Sequence, residues 1–120
     1  MTNHILNFRE VDKKTFELIR DGVKKVETRA GSKEYLLIQA EDTITFVCGS
    51  ENVTKKVIKA NRFKSFTELF NWYRPWDINP DIMRGPTSES EMIDVYRSFP
   101  GYPERIMEFG ILAFKLENIN

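Results

Sequence analysis

Cysteine and histidine are nearly missing: Cys48 and His4 are the single examples of each in 120 residues. One thiol excludes an internal disulfide. Cys48 lies in the apolar run ITFVC and reads as a reduced, strand-borne small hydrophobe. One cysteine with one distant histidine is a poor basis for a zinc site or a Cys-His nucleophile, so no metal and no organic cofactor are expected. Long hydrophobic runs are absent too, and MTNHILNFRE lacks the charged start and apolar middle of a signal peptide. The expectation is a cytoplasmic protein with no membrane role. Net charge is the last thing missing, because 18 basic and 18 acidic residues cancel. Without a global positive field a DNA-coating role is excluded, and any nucleic-acid contact has to come from a local basic patch.

The residues that are present, 41% hydrophobic and 30% charged, have the balance of an ordinary globular chain. Residues 1–120 read as a single domain, long enough to bury one core. His4 to Phe8 reads as a first strand. Asp12 is placed to N-cap a helix reaching Asp21, with Phe16, Ile19 and Val23 on one side and Gly22 as its stop. A charged second strand follows, then the loop AGSKEY and a turn at Ala40-Glu41-Asp42, where Asp42 caps the strand that runs through Val47. Gly49 to Asn52 forms a hairpin turn into a strand from Val53 to Ala60.

Ser65 and Glu68 fit a capping box, and Phe66, Leu69, Phe70 and Tyr73 form an apolar stripe at helical spacing. The segment from Arg74 to Ser90, with Pro75, Pro80 and Pro86, reads as an irregular excursion. A helix over Ser88 to Ser98 comes next, with Met92, Val95 and Phe99 on one side. FPGYPERI reads as a turn-rich return to a last strand over Gly110 to Leu116. Few long helices, short strands and a first strand far from the last predict an α+β fold: a small mixed β-barrel with helices packed at its side and mouth.

The stretch GVKKVETR carries the strongest functional signal. Lys25, Glu27 and Arg29 alternate with Val26 and Thr28, which puts the three charges on one face of an extended chain and Thr28 on the other. With Lys24 beside them, they are either a solvated strand face of weak surface pairs or the wall of a cleft. Arginine beside a carboxylate is a common way of fixing a guanidinium to read a phosphate or a base edge. In NWYRPW, Trp72 and Trp76 beside Arg74 suit base stacking, or they cover the end of the barrel. Exposed, the same cluster would suit a protein-interaction module. Lys55, Lys56, Lys59, Arg62 and Lys64 form a basic run, either a solubilising strand edge or a track for phosphates. Tyr102 and Arg105 are polar-tipped contacts if FPGYPERI borders a cleft, and bystanders if it only turns the chain.

Ile19-x-x-Gly22-x-Lys24, then Glu27-x-Arg29, then Asp42-x-Ile44-x-Phe46 and a final Ala113-Phe114-x-Leu116 together resemble the ASCH domain family of the PUA-like superfamily. The likeness runs from about Ile5 to Glu117. It implies a PUA-like barrel with a cleft between the first helix, the charged strand and the returning C-terminal segment, and an RNA-associated role. One branch of the family hydrolyses N4-acetylcytidine with a lysine, a threonine and a glutamate. That lysine falls on Lys24 and a neighbouring arginine on Arg29, but the threonine position holds Glu27. The glutamate of that branch is matched by Glu89 or Glu91.

The resulting expectation is an RNA- or nucleotide-binding protein. Its contacts are Lys24, Lys25, Glu27, Arg29, Trp72, Trp76, Glu91 and Tyr102, with Glu27 orienting Arg29 or accepting from an exocyclic amine. The partner is RNA or a nucleotide-like small molecule, and nothing in the sequence fixes the oligomeric state. The alternative is a small amidohydrolase on modified nucleosides, with Lys24 and Glu27 catalytic and Glu27 the base on a water.

Overall fold

The computed structural model describes residues 1–80 and 89–119. Five strands form one mixed sheet: β1 (Asn3–Phe8), β2 (Val26–Ala30), β3 (Thr43–Cys48), β4 (Glu51–Phe63) and β5 (Ile111–Asn118). Among the described residues five α-helices accompany it: α1 (Lys13–Arg20), α2 (Phe66–Trp72), α3 (Pro75–Ile78), α4 (Glu89–Ser98) and α5 (Tyr102–Phe109). The strand order is β1-β3-β4-β5-β2, with β1 parallel to β3 and the other neighbours antiparallel. The sheet curls into a half-barrel instead of closing, and β1 and β2 are its two free edges.

Both faces of the sheet are covered where β5 begins, so Ile111 to Phe114 have no exposed side. Leu112, Phe114 and Leu116 of β5 join Phe16 and Ile19 of α1, with Leu6, Ile44 and Phe46, in one core on the inner face. Ile111 and Ala113 face the opposite way, toward a second core built with Leu69, Phe70, Met92 and Tyr96. This is why Ile111 to Phe114 read as an unbroken apolar run, as strand segments buried on two sides do.

Local chemistry explains most of the element ends. Ser65 accepts from the Glu68 N–H at 3.3 Å and so caps α2 as expected, while the Glu68 carboxylate accepts from Lys64 N at 2.8 Å, one residue before the cap, and not from Ser65 N as a full capping box would. The Gly49–Asn52 turn is tighter than expected. Cys48 pairs with Glu51, leaving a two-residue loop, and β4 runs on to Phe63 past an irregularity between Val57 and Lys59. Asp12 does not cap α1, because Arg9 takes its carboxylate at 2.9 Å.

The basic run is not a strand edge, since β4 lies between β3 and β5. Lys55 is buried against the Arg20 carbonyl and Asn118, Lys56 pairs with Glu41 at 3.0 Å, and Arg62 donates to the Phe109 carbonyl. The excursion after Arg74 begins with α3, started by Pro75 in its first turn and by Asp77 accepting from Arg74 N. Its remainder, 81–88, lies outside the described residues. FPGYPERI is not simply a turn, because Tyr102 opens the eight-residue helix α5 with Pro103 in its first turn.

Asp42 holds the start of β3. Its carboxylate accepts from Thr2 N at 3.0 Å and Gln39 N at 3.1 Å, and bonds His4 Nε2 at 2.8 Å. The His4 bond, then the two backbone N–H groups, bring its pKa down to about 2. A carboxylate depressed in the folded state stabilises above its unfolded value, about 3.9, and loses that contribution as pH falls through the folded one. We therefore expect Asp42→Asn to be less stable than wild type at neutral pH, with the gap closing between about pH 4 and pH 2. Urea midpoints across that range check it; a gap that stays constant down to the lowest pH contradicts the assignment.

Candidate functional site

The site follows from what an edge strand must do with its outward backbone. β2 bonds to β5 on one side only, so the outward groups of Val26, Thr28 and Ala30 need other partners. Side chains supply several of them. Lys24 Nζ donates to the Val26 carbonyl at 2.6 Å and to the Ile78 carbonyl, tying α3 to the strand. The Glu27 carboxylate accepts from Thr28 N at 3.2 Å. Arg105 of α5 donates from Nη2 to the Ala30 carbonyl at 2.8 Å and from Nε to Gly31 at 3.2 Å.

These groups border a cleft of about 430 Å³ at the open side of the half-barrel. Within it Glu27 is the hub of a buried ion cluster. Arg29 Nε donates to Glu27 Oε2 at 3.0 Å, and Lys24 Nζ lies 3.6 Å from Oε1. All three residues are at most 9% exposed. Arg29 also reaches across the gap toward β1, donating to Tyr35 Oη at 3.3 Å and to the Asn7 carbonyl at 3.4 Å. Burial pushes the Lys24 pKa below its ordinary value, against the pull of the Glu27 carboxylate. Burial acts against the Arg29 charge as well, but Glu27 and the tyrosine hydroxyls around it outweigh this, and its pKa lies above the ordinary value.

Aromatic rings and guanidiniums alternate around this cluster. Arg29 lies 4.8 Å from the Phe8 centroid and 5.9 Å from that of Tyr35. Arg105 lies 5.6 Å from Tyr35 and 5.2 Å from Tyr102, and Arg9 lies 5.5 Å from Phe99. Tyr96 and Tyr102 stack at 6.2 Å, and burial raises the pKa of both hydroxyls, that of Tyr96 strongly, so both are neutral donors. A planar, polar-edged ligand suits such walls: faces for stacking, and charged groups aimed at its edge.

Lys24, Glu27, Arg29 and Tyr102 all line the cleft; Lys25, Trp72, Trp76 and Glu91 do not. Lys25 departs because β2 begins only at Val26, so the strand alternation does not extend back to it. Lys25 is exposed on a separate hollow with Gly22, Lys55 and Glu117. Trp72 is 60% and Trp76 47% exposed, because the second core takes Leu69, Phe70 and Ile78 from the neighbouring positions and leaves the indoles outside. Trp72 keeps one ring neighbour, Phe63 at 6.0 Å. Glu91 is exposed on α4, whose buried stripe is Met92 and Tyr96. The side chain of Glu89 lies outside the described residues.

Thr28 pairs with Ala113 while Glu27 pairs with Phe114, which puts the two on opposite faces of the sheet. The cleft wraps round the free edge of β2, however, so Thr28 contributes to its wall as well. Phe8, Tyr35 and Tyr96 are cleft residues that sequence reasoning missed. Met92, Val95 and Phe99, which the sequence puts on one side of a helix, all line the cleft.

Fold and site together define an α+β half-barrel with a charged, aromatic cleft at its open edge. The chain is similar to the crystal structure of hypothetical protein PH0355, at 28% identity and a TM-score of 0.77, covering 99% of this chain and 100% of that one. It is also similar to the solution NMR structure of protein PF0455 from Pyrococcus furiosus, at 26% identity and a TM-score of 0.70, covering 100% and 99%. No family model and no curated protein matches it. No helix among the described residues is long and apolar enough to cross a membrane.

Proposed function

We propose that this is an ASCH-type, PUA-like protein that binds one nucleotide unit, free or within RNA, in the cleft at the edge of β2. The observation that carries the reading is the convergence of buried Lys24, Glu27 and Arg29 with the Tyr35, Tyr96 and Tyr102 rings around one concavity. At about 430 Å³ it falls among small-ligand sites of about 300 to 1,000 Å³ and has room for a base with its sugar. A long strand of RNA needs an extended groove, whereas here Lys24, Glu27 and Arg29 are buried together in one half-open concavity. In this reading Glu27 accepts from an exocyclic amine or ring N–H, and Arg29 and the neutral tyrosines donate to base acceptors.

The second reading is hydrolysis of an N4-acyl nucleoside, and what favours it is the buried Lys24 ammonium, lowered in pKa, 3.6 Å from a carboxylate. Water activated by Glu27 would add to the acyl carbonyl, and the C–N bond would break to give the free amine and a carboxylate. The resting hydrogen bonds of Glu27 to Arg29 and Thr28 N suit binding better than this base role.

One titration series tests both readings. Nucleosides and short RNAs are titrated against wild type and Glu27→Gln, with N4-acetylcytidine included and assayed for release of cytidine. Binding weakened about tenfold by Glu27→Gln is expected, the scale of one charge-assisted hydrogen bond. Equal affinity for the two proteins removes the site. Cytidine release that disappears in Lys24→Ala establishes the enzyme instead.

A further inference from the structure

The charges of the cleft do not cancel as those of the whole chain do. Among the described residues its wall holds four basic ones, Arg9, Lys24, Arg29 and Arg105, against two acidic ones, Asp12 and Glu27, a formal charge of +2 in a chain of zero net charge. The excess is divided by depth. Lys24, Glu27 and Arg29 are buried, whereas Arg9 is exposed and Arg105 half-buried, so two guanidiniums stand nearer to solvent than the inner cluster.

Both outer guanidiniums are anchored along one edge. Arg105 uses Nε and one Nη2 proton on the Gly31 and Ala30 carbonyls, which leaves three of its five N–H donors. Arg9 uses Nε on Asp12, which leaves its two NH2 groups. Each also lies over one ring of the Phe99–Tyr102 pair, whose centroids are 5.0 Å apart. No ion pair among the described residues engages Arg105. Guanidiniums held flat, with one edge fixed and the other unspent, are preorganised for the oxygens of a phosphate.

We propose that the occupant is a nucleoside monophosphate, its terminal phosphate held by Arg105 and Arg9 at the mouth and its base inside, by Glu27 and Arg29. This rests on the nucleotide-unit reading above and narrows it to a free or terminal phosphomonoester. The excess charge of the wall matches a dianion; an internal phosphodiester of RNA carries one charge only.

The full chain is titrated with cytidine, uridine, adenosine and guanosine, their 5′-monophosphates, inorganic phosphate, and a pentaribonucleotide with hydroxyl ends. At least one monophosphate is expected to bind about tenfold or more tightly than its nucleoside. That ratio rises between about pH 5 and pH 7, as the second phosphate proton leaves near about pH 6, and falls with added salt. Arg105→Lys lowers the ratio, because an ammonium cannot present the guanidinium fork. Since Arg105 also caps β2, Arg9→Gln is the second variant: Arg9 is exposed and its one side-chain hydrogen bond is to Asp12, and the ratio drops at least about threefold.

Equal affinity for nucleoside and monophosphate, or a ratio indifferent to pH and to both variants, overturns the phosphate inference and leaves the base site standing. Tighter binding of the pentaribonucleotide than of every monophosphate overturns it in favour of a strand. Inorganic phosphate as tight as any monophosphate keeps the phosphate site and retires the base pocket. Binding of no probe removes both.

Discussion

Arg29→Ala is expected to destabilise the protein by about 3–5 kcal/mol and to abolish nucleotide binding, the largest combined effect of any single cleft substitution. Removing the guanidinium leaves Glu27, 4% exposed, with Thr28 N and a Lys24 ammonium 3.6 Å away that is already committed to two carbonyls. It also removes the bridge from β2 to β1 through Asn7 and the filling between Phe8 and Tyr35. Breaking one side of a buried pair is the costly change; replacing both sides by neutral groups of similar shape often is not. Glu27→Gln combined with Arg29→Met should therefore regain at least about 1 kcal/mol over Arg29→Ala while still failing to bind. Urea unfolding of the three proteins, with ligand titration of each, separates the two roles. If Arg29→Ala unfolds like wild type, the cluster does not constrain the edge of β2.

What the sequence showed, and what it hid, follows from how local each determinant is. The α2 stripe with its Ser65 cap, the β3–β4 hairpin and the last strand are set by neighbours along the chain and could be read there. The alternation Lys25-Glu27-Arg29 was legible as well, but its phase had to be extended one residue too far. The strand begins at Val26, so the cleft receives Lys24 in place of Lys25. The α5 helix was hidden by Pro100, Gly101 and Pro103, which signal a turn on their own; a proline in the first turn of a helix is compatible with it. Trp72 and Trp76 misled for another reason. Ring chemistry says what a side chain can bind, but burial is decided by the core that competes for the same helix face.

The remaining cleft residues had no local signal. Phe8, Tyr35 and Tyr96 come from separate elements and meet only because β2 leaves the sheet's edge open to all of them. Composition says only that a nucleic-acid contact has to come from a local basic patch, because the charges of the whole chain cancel. Where it sits depends on Arg9 and Arg105, nearly a chain length apart, facing the adjacent rings of Phe99 and Tyr102.

Gly110→Ala is expected to cost about 2–5 kcal/mol, from a Gly-only backbone conformation plus overpacking, and to lower Tm on the order of 10 °C. Gly110 stands where α5 hands over to β5, at φ 80° and ψ −166°. A Cβ there would lie 2.5 Å from the Phe63 carbonyl oxygen of β4, a main-chain atom that cannot swing aside. The same crossing is tight at its other strand: Gly31 N donates to the Gly110 carbonyl at 2.8 Å, and a Cβ on Gly31 would meet Phe109 Cβ at 2.5 Å. Gly22 is the internal control, because it has φ 78° with nothing within 4 Å of its would-be Cβ. Gly22→Ala should cost only the backbone strain, about 1–2 kcal/mol, and leave the cleft unaffected. The difference between the two substitutions combines the close approach with the Gly-only backbone conformation at residue 110. Because that approach seats α5, and α5 carries Tyr102 and Arg105, Gly110→Ala should also weaken nucleotide binding at temperatures where the variant is still folded. Equal losses of stability for the two variants would mean that the crossing is loose and that α5 is not positioned by it.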